Sequence, residues 1–104
     1  RRTTVPTSVG CQQVFAMYVD DRMDRVWSGH EGGHLKMWDG ATGNQLAQGR
    51  VCLSVLHCMD STSPNTMWVG SSKGNIRIVE AYEEEQIILS GEKVVQWKLV
   101  VKEQ

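Results

Sequence analysis

The sequence predicts an all-β chain assembled from repeated four-stranded units, and three observations carry that expectation. β-Branched aliphatics dominate, with thirteen Val and four Ile against six Leu and four Ala, and branching at Cβ favours strand over helix. Ten glycines and four tryptophans in 104 residues suit short strands joined by tight turns. A segment of fourteen residues also recurs at a constant offset of 41, Val26-Trp27-Ser28-Gly29 through Trp38-Asp39 falling on Met67-Trp68-Val69-Gly70 through Val79-Glu80 without a gap.

Taken in order, residues 1–12 carry Thr, Ser, Pro and Gly and read as a linker or a closing strand. The first repeat, 13–50, predicts strands near 13–19, 25–29, 34–38 and 45–48. Between its second and third strands lies a glycine turn, His30 to Gly33, and Asp39-Gly40-Ala41-Thr42-Gly43-Asn44 is a second turn by composition. Alternation in Leu35-Lys36-Met37-Trp38 sets Leu35 and Met37 on one face and Lys36 with Trp38 on the other. The second repeat, 51–90, copies this pattern, with Ser71 to Gly74 as its turn. Upstream, the same offset lays Val14-Phe15 on Val55-Leu56 and Met17 on Cys58, so each copy opens with its own strand. Residues 91–104 form a partial unit or a terminal strand, with a weak third echo in Ile88-Leu89-Ser90-Gly91 followed by Val94, Val95 and Trp97. Four strands in about 40 residues is the period of a β-propeller blade. A chain of 104 residues with a repeat of 41 holds about 2.5 blades, an incomplete ring where roughly four to eight are needed. Its open sides predict oligomerisation or aggregation.

Trp27-Ser28-Gly29, the turn glycine, Leu35-Lys36-Met37-Trp38-Asp39 and Ala41-Thr42-Gly43 together resemble the end of a WD repeat, with Trp38-Asp39 in the place of the name-giving dipeptide and Val79-Glu80 there in the divergent second copy. The flavour is that of the divergent propellers appended to leucine-rich-repeat kinases, DENN-domain proteins, Rho exchange factors and some inositol polyphosphate 5-phosphatases. In the WD family an Asp in the turn before the third strand commonly pairs with a His from an upstream Gly-His. Gly32 and Lys73 hold those turn positions here, and Gly29-His30 lies only eight residues before Trp38, so that network is expected to be absent. The resemblance implies partner docking on the loops between second and third strands and between blades, which are His30, Glu31, Gly49, Arg50, Ser71, Ser72 and Lys73.

Composition excludes several classes. Forty per cent apolar and 22% charged residues are globular proportions. Eleven Lys and Arg against twelve Asp and Glu leave a formal net charge of -1, so no nucleic acid is expected as a partner. No apolar run approaches the roughly 20 residues of a membrane span, and Arg1-Arg2-Thr3-Thr4 is not followed by a signal-peptide stretch. The expectation is a cytoplasmic protein. Cys11, Cys52 and Cys58 are odd in number and without a CxxC pair, which predicts reduced core thiols.

His30-Glu31-Gly32-Gly33-His34 matches HExxH, in which two His one helical turn apart hold zinc beside a Glu base. That geometry needs a helix, and two adjacent glycines cost about 2 kcal/mol in one. The repeat maps the segment onto Ser71-Ser72-Lys73-Gly74-Asn75, which has no metal chemistry, so a hairpin turn is expected and a small zinc hydrolase is the competing reading. Cys52 and Cys58 are expected to share a strand face, with His57 opposite. No nucleophile motif or phosphate loop is present, the four Trp are expected in the core, and Glu83-Glu84-Glu85 reads as a solvated loop. The expected function is a non-enzymatic scaffold, without metal or cofactor, that binds protein or peptide partners and further blades, or else the regulatory propeller of a larger signalling enzyme.

Overall fold

The computed structural model describes residues 12–102; of the expected linker or closing strand, 1–12, residues 1–11 with Cys11 lie outside them. Eight strands follow one another: β1 (Val14–Asp20), β2 (Arg25–His30), β3 (His34–Asp39), β4 (Gln45–Arg50), β5 (Leu56–Ser63), β6 (Thr66–Ser71), β7 (Ile76–Ile87) and β8 (Lys93–Lys102). They make two four-stranded antiparallel meanders, β1-β2-β3-β4 and β5-β6-β7-β8, here sheet one and sheet two. The fold is all-β, and no α-helix occurs among the described residues.

Local chemistry closes the hairpins. The turn between β2 and β3 is a single 3₁₀ turn, Glu31–Gly33, with Gly32 at φ 73° and Gly33 at φ 83°, values an L side chain tolerates poorly. At the other end of β3, the Asp39 carboxylate accepts from the backbone N–H groups of Ala41 and Thr42 at 2.8 and 3.3 Å. The Gly43 N–H donates to the Asp39 carbonyl at 2.8 Å. This side-chain-to-backbone turn is why Asp-Gly-Ala-Thr-Gly stops one strand and aims the next.

Register decides which side chains share a face. Tyr18, Trp27, Met37 and Ala47 stand opposite one another across sheet one, as do Ala16, Gly29, Leu35 and Gly49. This inner face lies against sheet two. The face of sheet two that meets it carries Met59 with Val69, Met67 with Val79 and Val101, and Ala81 with Leu99. The core is the seam between them: Trp27, Leu35, Met37, Leu56, Met67, Val69 and Val79 are each at most 2% exposed. Burying a side chain of this size stabilises by about 1.5–3 kcal/mol. β1 runs along β5 and β4 along β8, so the two meanders stack in the same strand order.

Gly29 makes the close approach possible, since a Cβ there would sit 2.8 Å from the Leu56 Cβ. At the end of the seam the Gly33 carbonyl receives the N–H groups of Val51 and Cys52 at 2.9 and 3.3 Å. The link between the sheets is thereby pinned to the β2–β3 turn.

Several expectations are corrected by this arrangement. The offset of 41 holds from β2 to β3, where Trp27 pairs with Met37 and Trp68 with Ile78. It becomes 42 in the preceding strand, because Ala16 pairs with Gly29 while Cys58 pairs with Gly70. Val14 therefore corresponds to Leu56 and Met17 to Met59, and the one-residue slip reverses the face of every side chain in that strand. Glu83-Glu84-Glu85 is strand, paired with Trp97, Gln96 and Val95, because β7 runs on for twelve residues. The echo at 88–97 gives no third sheet: 88–92 is the turn, and Lys93–Lys102 is the fourth strand of sheet two. Of the four Trp expected in the core, Trp27 is 2% exposed and Trp68 38%.

The two turn glycines separate strain from collision. Gly33 and Gly74 share a positive φ, 83° and 82°, but a Cβ at Gly33 would lie 2.0 Å from the Cys52 carbonyl oxygen, whereas at Gly74 nothing lies within 4 Å. Gly74→Ala should cost about 1–2 kcal/mol and Gly33→Ala clearly more, read as urea midpoints; equal losses would contradict the close packing of residue 33 on the inter-sheet link.

Candidate functional site

The residues expected to meet partners gather along one end of the two sheets. His30 pairs with Val14 and His34 with Arg50, which brings the first turn, the start of β1 and the end of β4 together. Leu56 pairs with Ser71, and the Ser72 N–H donates to the Val55 carbonyl at 2.9 Å, so the second turn sits beside the link. Glu31, Arg50, Ser72 and Lys73 are exposed, Gly49 and Ser71 half-buried. The Arg50 Nε donates to the Gly32 carbonyl at 2.8 Å, holding this cation against the turn. His30 differs from the others: it is 0% exposed and unable to touch a partner.

Its burial is explained by a run of hydrogen bonds that sequence reasoning missed. The His30 Nδ1 stands 3.0 Å from the Gln13 carbonyl and 3.2 Å from that of Gln12, and these acceptors require the proton on Nδ1. Nε2 then accepts from the Ser28 hydroxyl at 2.7 Å. The Ser28 oxygen in turn accepts from the Trp38 indole Nε1–H at 2.8 Å. Each donor points one way along the chain Trp38, Ser28, His30, Gln13, and the tautomer follows from the network. This run is not the turn-Asp to upstream-His pair whose absence follows from Gly32 and Lys73. It uses a histidine at the end of β2 in place of the turn Asp and upstream His. The second copy has Val69, Val79 and Ser71 at the matching positions and makes no such run. The legible signal was Ser28 and His30 two apart on one strand face, with Trp38 diagonal to them across the hairpin.

Ser28 and His30 have the spacing of a nucleophile and its base. The hydroxyl is nevertheless 3% exposed, with its proton committed to His30 and a lone pair to Trp38, so the arrangement works as a strut across β2 and β3. The HExxH segment is likewise not helical. His34 begins β3 in extended conformation, and Glu31–Gly33 turns rather than continuing a helix, so the two imidazoles lack the shared helical face the zinc reading needs. No group of three or more His, Cys, Asp or Glu is gathered among the described residues.

The cysteines separate. Cys52 lies in the link before β5, not on a shared strand with Cys58, and is buried while Cys58 is exposed. Burial pushes the Cys52 thiol above its ordinary value, and the nearby Arg77 and Ser71 oppose the rise. At the opposite end of the sheets the buried Asp20 accepts from the Arg22 backbone N–H at 3.0 Å and from its Nε at 3.1 Å. That bond raises the Arg22 guanidinium. Among the described residues no helix is long and apolar enough to cross a membrane. No protein-family model, curated protein or solved structure matches the chain.

Two measurements check these assignments. Ser28→Ala leaves the Trp38 indole N–H without its acceptor and should lower stability by about 1–3 kcal/mol, with faster exchange of that indole proton by NMR; an unchanged exchange rate would contradict the strut. A thiol whose folded pKa is raised keeps its proton where the unfolded chain has lost it. Its contribution is complete below the unfolded value of about 8.5 and falls as pH rises past it. Urea melts from neutral to alkaline pH should show that decline, and Cys52→Ala should flatten it.

Proposed function

We propose that the chain is a segment of a WD-repeat-type β-propeller, acting in the cytoplasm as a non-enzymatic scaffold for protein or peptide partners. The observation that supports this reading most is the stacking of unlike faces. Trp27, Gly29, Leu35 and Met37 are buried on sheet one, while their counterparts at the offset of 41, Trp68, Gly70, Ile76 and Ile78, lie on the side of sheet two away from the seam. Blades around a propeller pack in this manner, each laying one face on the other face of its neighbour. A β-sandwich instead closes two inner faces on each other and leaves both outer faces polar.

In such a scaffold the rim does the recognising. The exposed Glu31, Arg50, Ser72 and Lys73 project from turns that the seam, the Gly33 bonds and the Arg50 clasp hold rigid. A partner thus meets a preorganised mixed-charge surface and loses little entropy in ordering it. The acidic β7–β8 hairpin stands at the opposite end and takes no part.

Photoreactive residues placed at Ser72 and at Ser61, which lies near the opposite end of sheet two, test the assignment in cells. Discrete cross-linked species are expected from position 72 and not from 61, and a paired Arg50→Glu, Lys73→Glu variant should weaken capture at least about tenfold, roughly 1.4 kcal/mol. Equal capture from both ends would overturn the rim assignment.

A further inference from the structure

Each sheet has two different faces, and the internal repeat tells what belongs against each. The Trp27 face of sheet one is covered by sheet two. Its counterpart on sheet two is open: Trp27 is 2% exposed and Trp68 38%, Leu35 0% and Ile76 65%. The converse holds for the other faces. Met67, Val69 and Val79 of sheet two are at most 1% exposed, and of their counterparts on the outside of sheet one Val26 and Trp38 are half-buried around the buried Ser28, beside Met17 and Val19, 60% and 57% exposed. The chain thus presents, on its two outer sides, the two halves of the contact it already makes between its own sheets.

We infer that a second copy of this chain docks head to tail, laying the Val26–Ser28–Trp38 face of its sheet one on the Trp68–Gly70–Ile76 face of sheet two. The inference rests on the propeller-type stacking proposed above and names the occupant of the open faces. Three features support it. First, the described residues leave one open face of each kind, so one contact between copies covers both kinds. Second, Gly70 stands where Gly29 does in the repeat, within a hollow lined by Cys58, Asp60, Trp68 and Ile76, and the Cys58 Sγ, 2.6 Å from the place a Cβ would take, fills part of that clearing. The structural counterpart of Leu56 is Val14, 41% exposed beside an outer hollow lined by Met17, Val26 and Trp38. Third, the Ser28 and Trp38 polar groups at the middle of sheet one's outer face are already satisfied. Trp38 Nε1–H and the Ser28 hydroxyl are bonded along the run to His30, so covering that face leaves neither donor without a partner. A heterologous contact of this kind does not use itself up; it closes into a ring or continues as a filament.

The test is light scattering on the full chain and on two variants at highly exposed positions, Met17→Lys on the outer face of sheet one and Ile76→Lys on that of sheet two. The native chain should form multiples of 11.7 kDa. Each variant alone should fall to monomer, self-affinity dropping about a hundredfold or more because a lysine is buried unpaired. An equimolar mixture retains one intact face of each kind and should form a dimer that grows no further. Homodimers from either variant, or a mixture that stays monomeric, would overturn the inference, and Trp68→Arg provides a second variant of the same face. A native chain that stays monomeric but melts cooperatively with Trp27 shielded also overturns it. That result leaves the propeller reading standing, with the open faces assigned to blades other than those of a second copy. Loss of the cooperative melt and of Trp27 shielding in every form would sink the propeller reading itself.

Discussion

Burial of the Trp27 face of sheet one beneath the Met67 face of sheet two is the contact on which the rest of this structure depends. A lone four-stranded meander with large apolar side chains on both faces gains too little burial to offset the entropy of ordering it. Joining two supplies one buried seam, and the details that tighten it are local and small. Gly29 lets Leu56 approach at a distance no other residue allows, and the Gly33 carbonyl takes two N–H groups from the inter-sheet link. With the seam fixed, the strand order, the position of the turns and the alignment of the two sheet ends all follow.

Polar groups are distributed according to which face is covered within the chain. At matched positions of the two sheets, the covered face of sheet two carries Val69 and Val79 while the open face of sheet one carries Ser28 and Trp38. The polar pair exacts no desolvation penalty because His30 and the Gln13 carbonyl complete its hydrogen bonds. The strut also braces β2 against β3 directly beneath the turn that bears Glu31. Rigidity at the rim is thus built from the sheet upward, and the exposed side chains sit on a backbone with little freedom of its own.

Much of the first repeat was legible. Period-two alternation from Val26 to Asp39, the glycines at 32 and 33 and the Asp-Gly-Ala-Thr-Gly turn give strands that match β2, β3 and β4 to within one or two residues, since these are local signals. β1 and β5 were harder. A single extra residue between the first and second strands changes the offset from 41 to 42, and residue character alone did not reveal it because Val14, Phe15, Val55 and Leu56 are all apolar. The acidic run misled because charge density reads as loop, whereas a projecting hairpin solvates Glu83 and Glu85 in strand conformation just as well. Of the candidate site, the solvent-facing turn residues were readable from their place in the repeat. The burial of His30 was not, because it depends on carbonyls eighteen and seventeen residues earlier in the chain.

That the chain is all-β, that its repeats carry two-faced strands, and where the glycine turns fall can be read from the residues alone; these follow from branching at Cβ, alternation and positive φ, which act over a few residues. Which face of each sheet is covered, which of two equivalent tryptophans is core and which is open, and that a histidine within a metal-like motif is a hydrogen-bonding strut emerge once the two sheets are packed together. Alternation says that a strand has two faces. Coverage is a property of what stacks upon them, and it is fixed by the partner sheet far away in the chain.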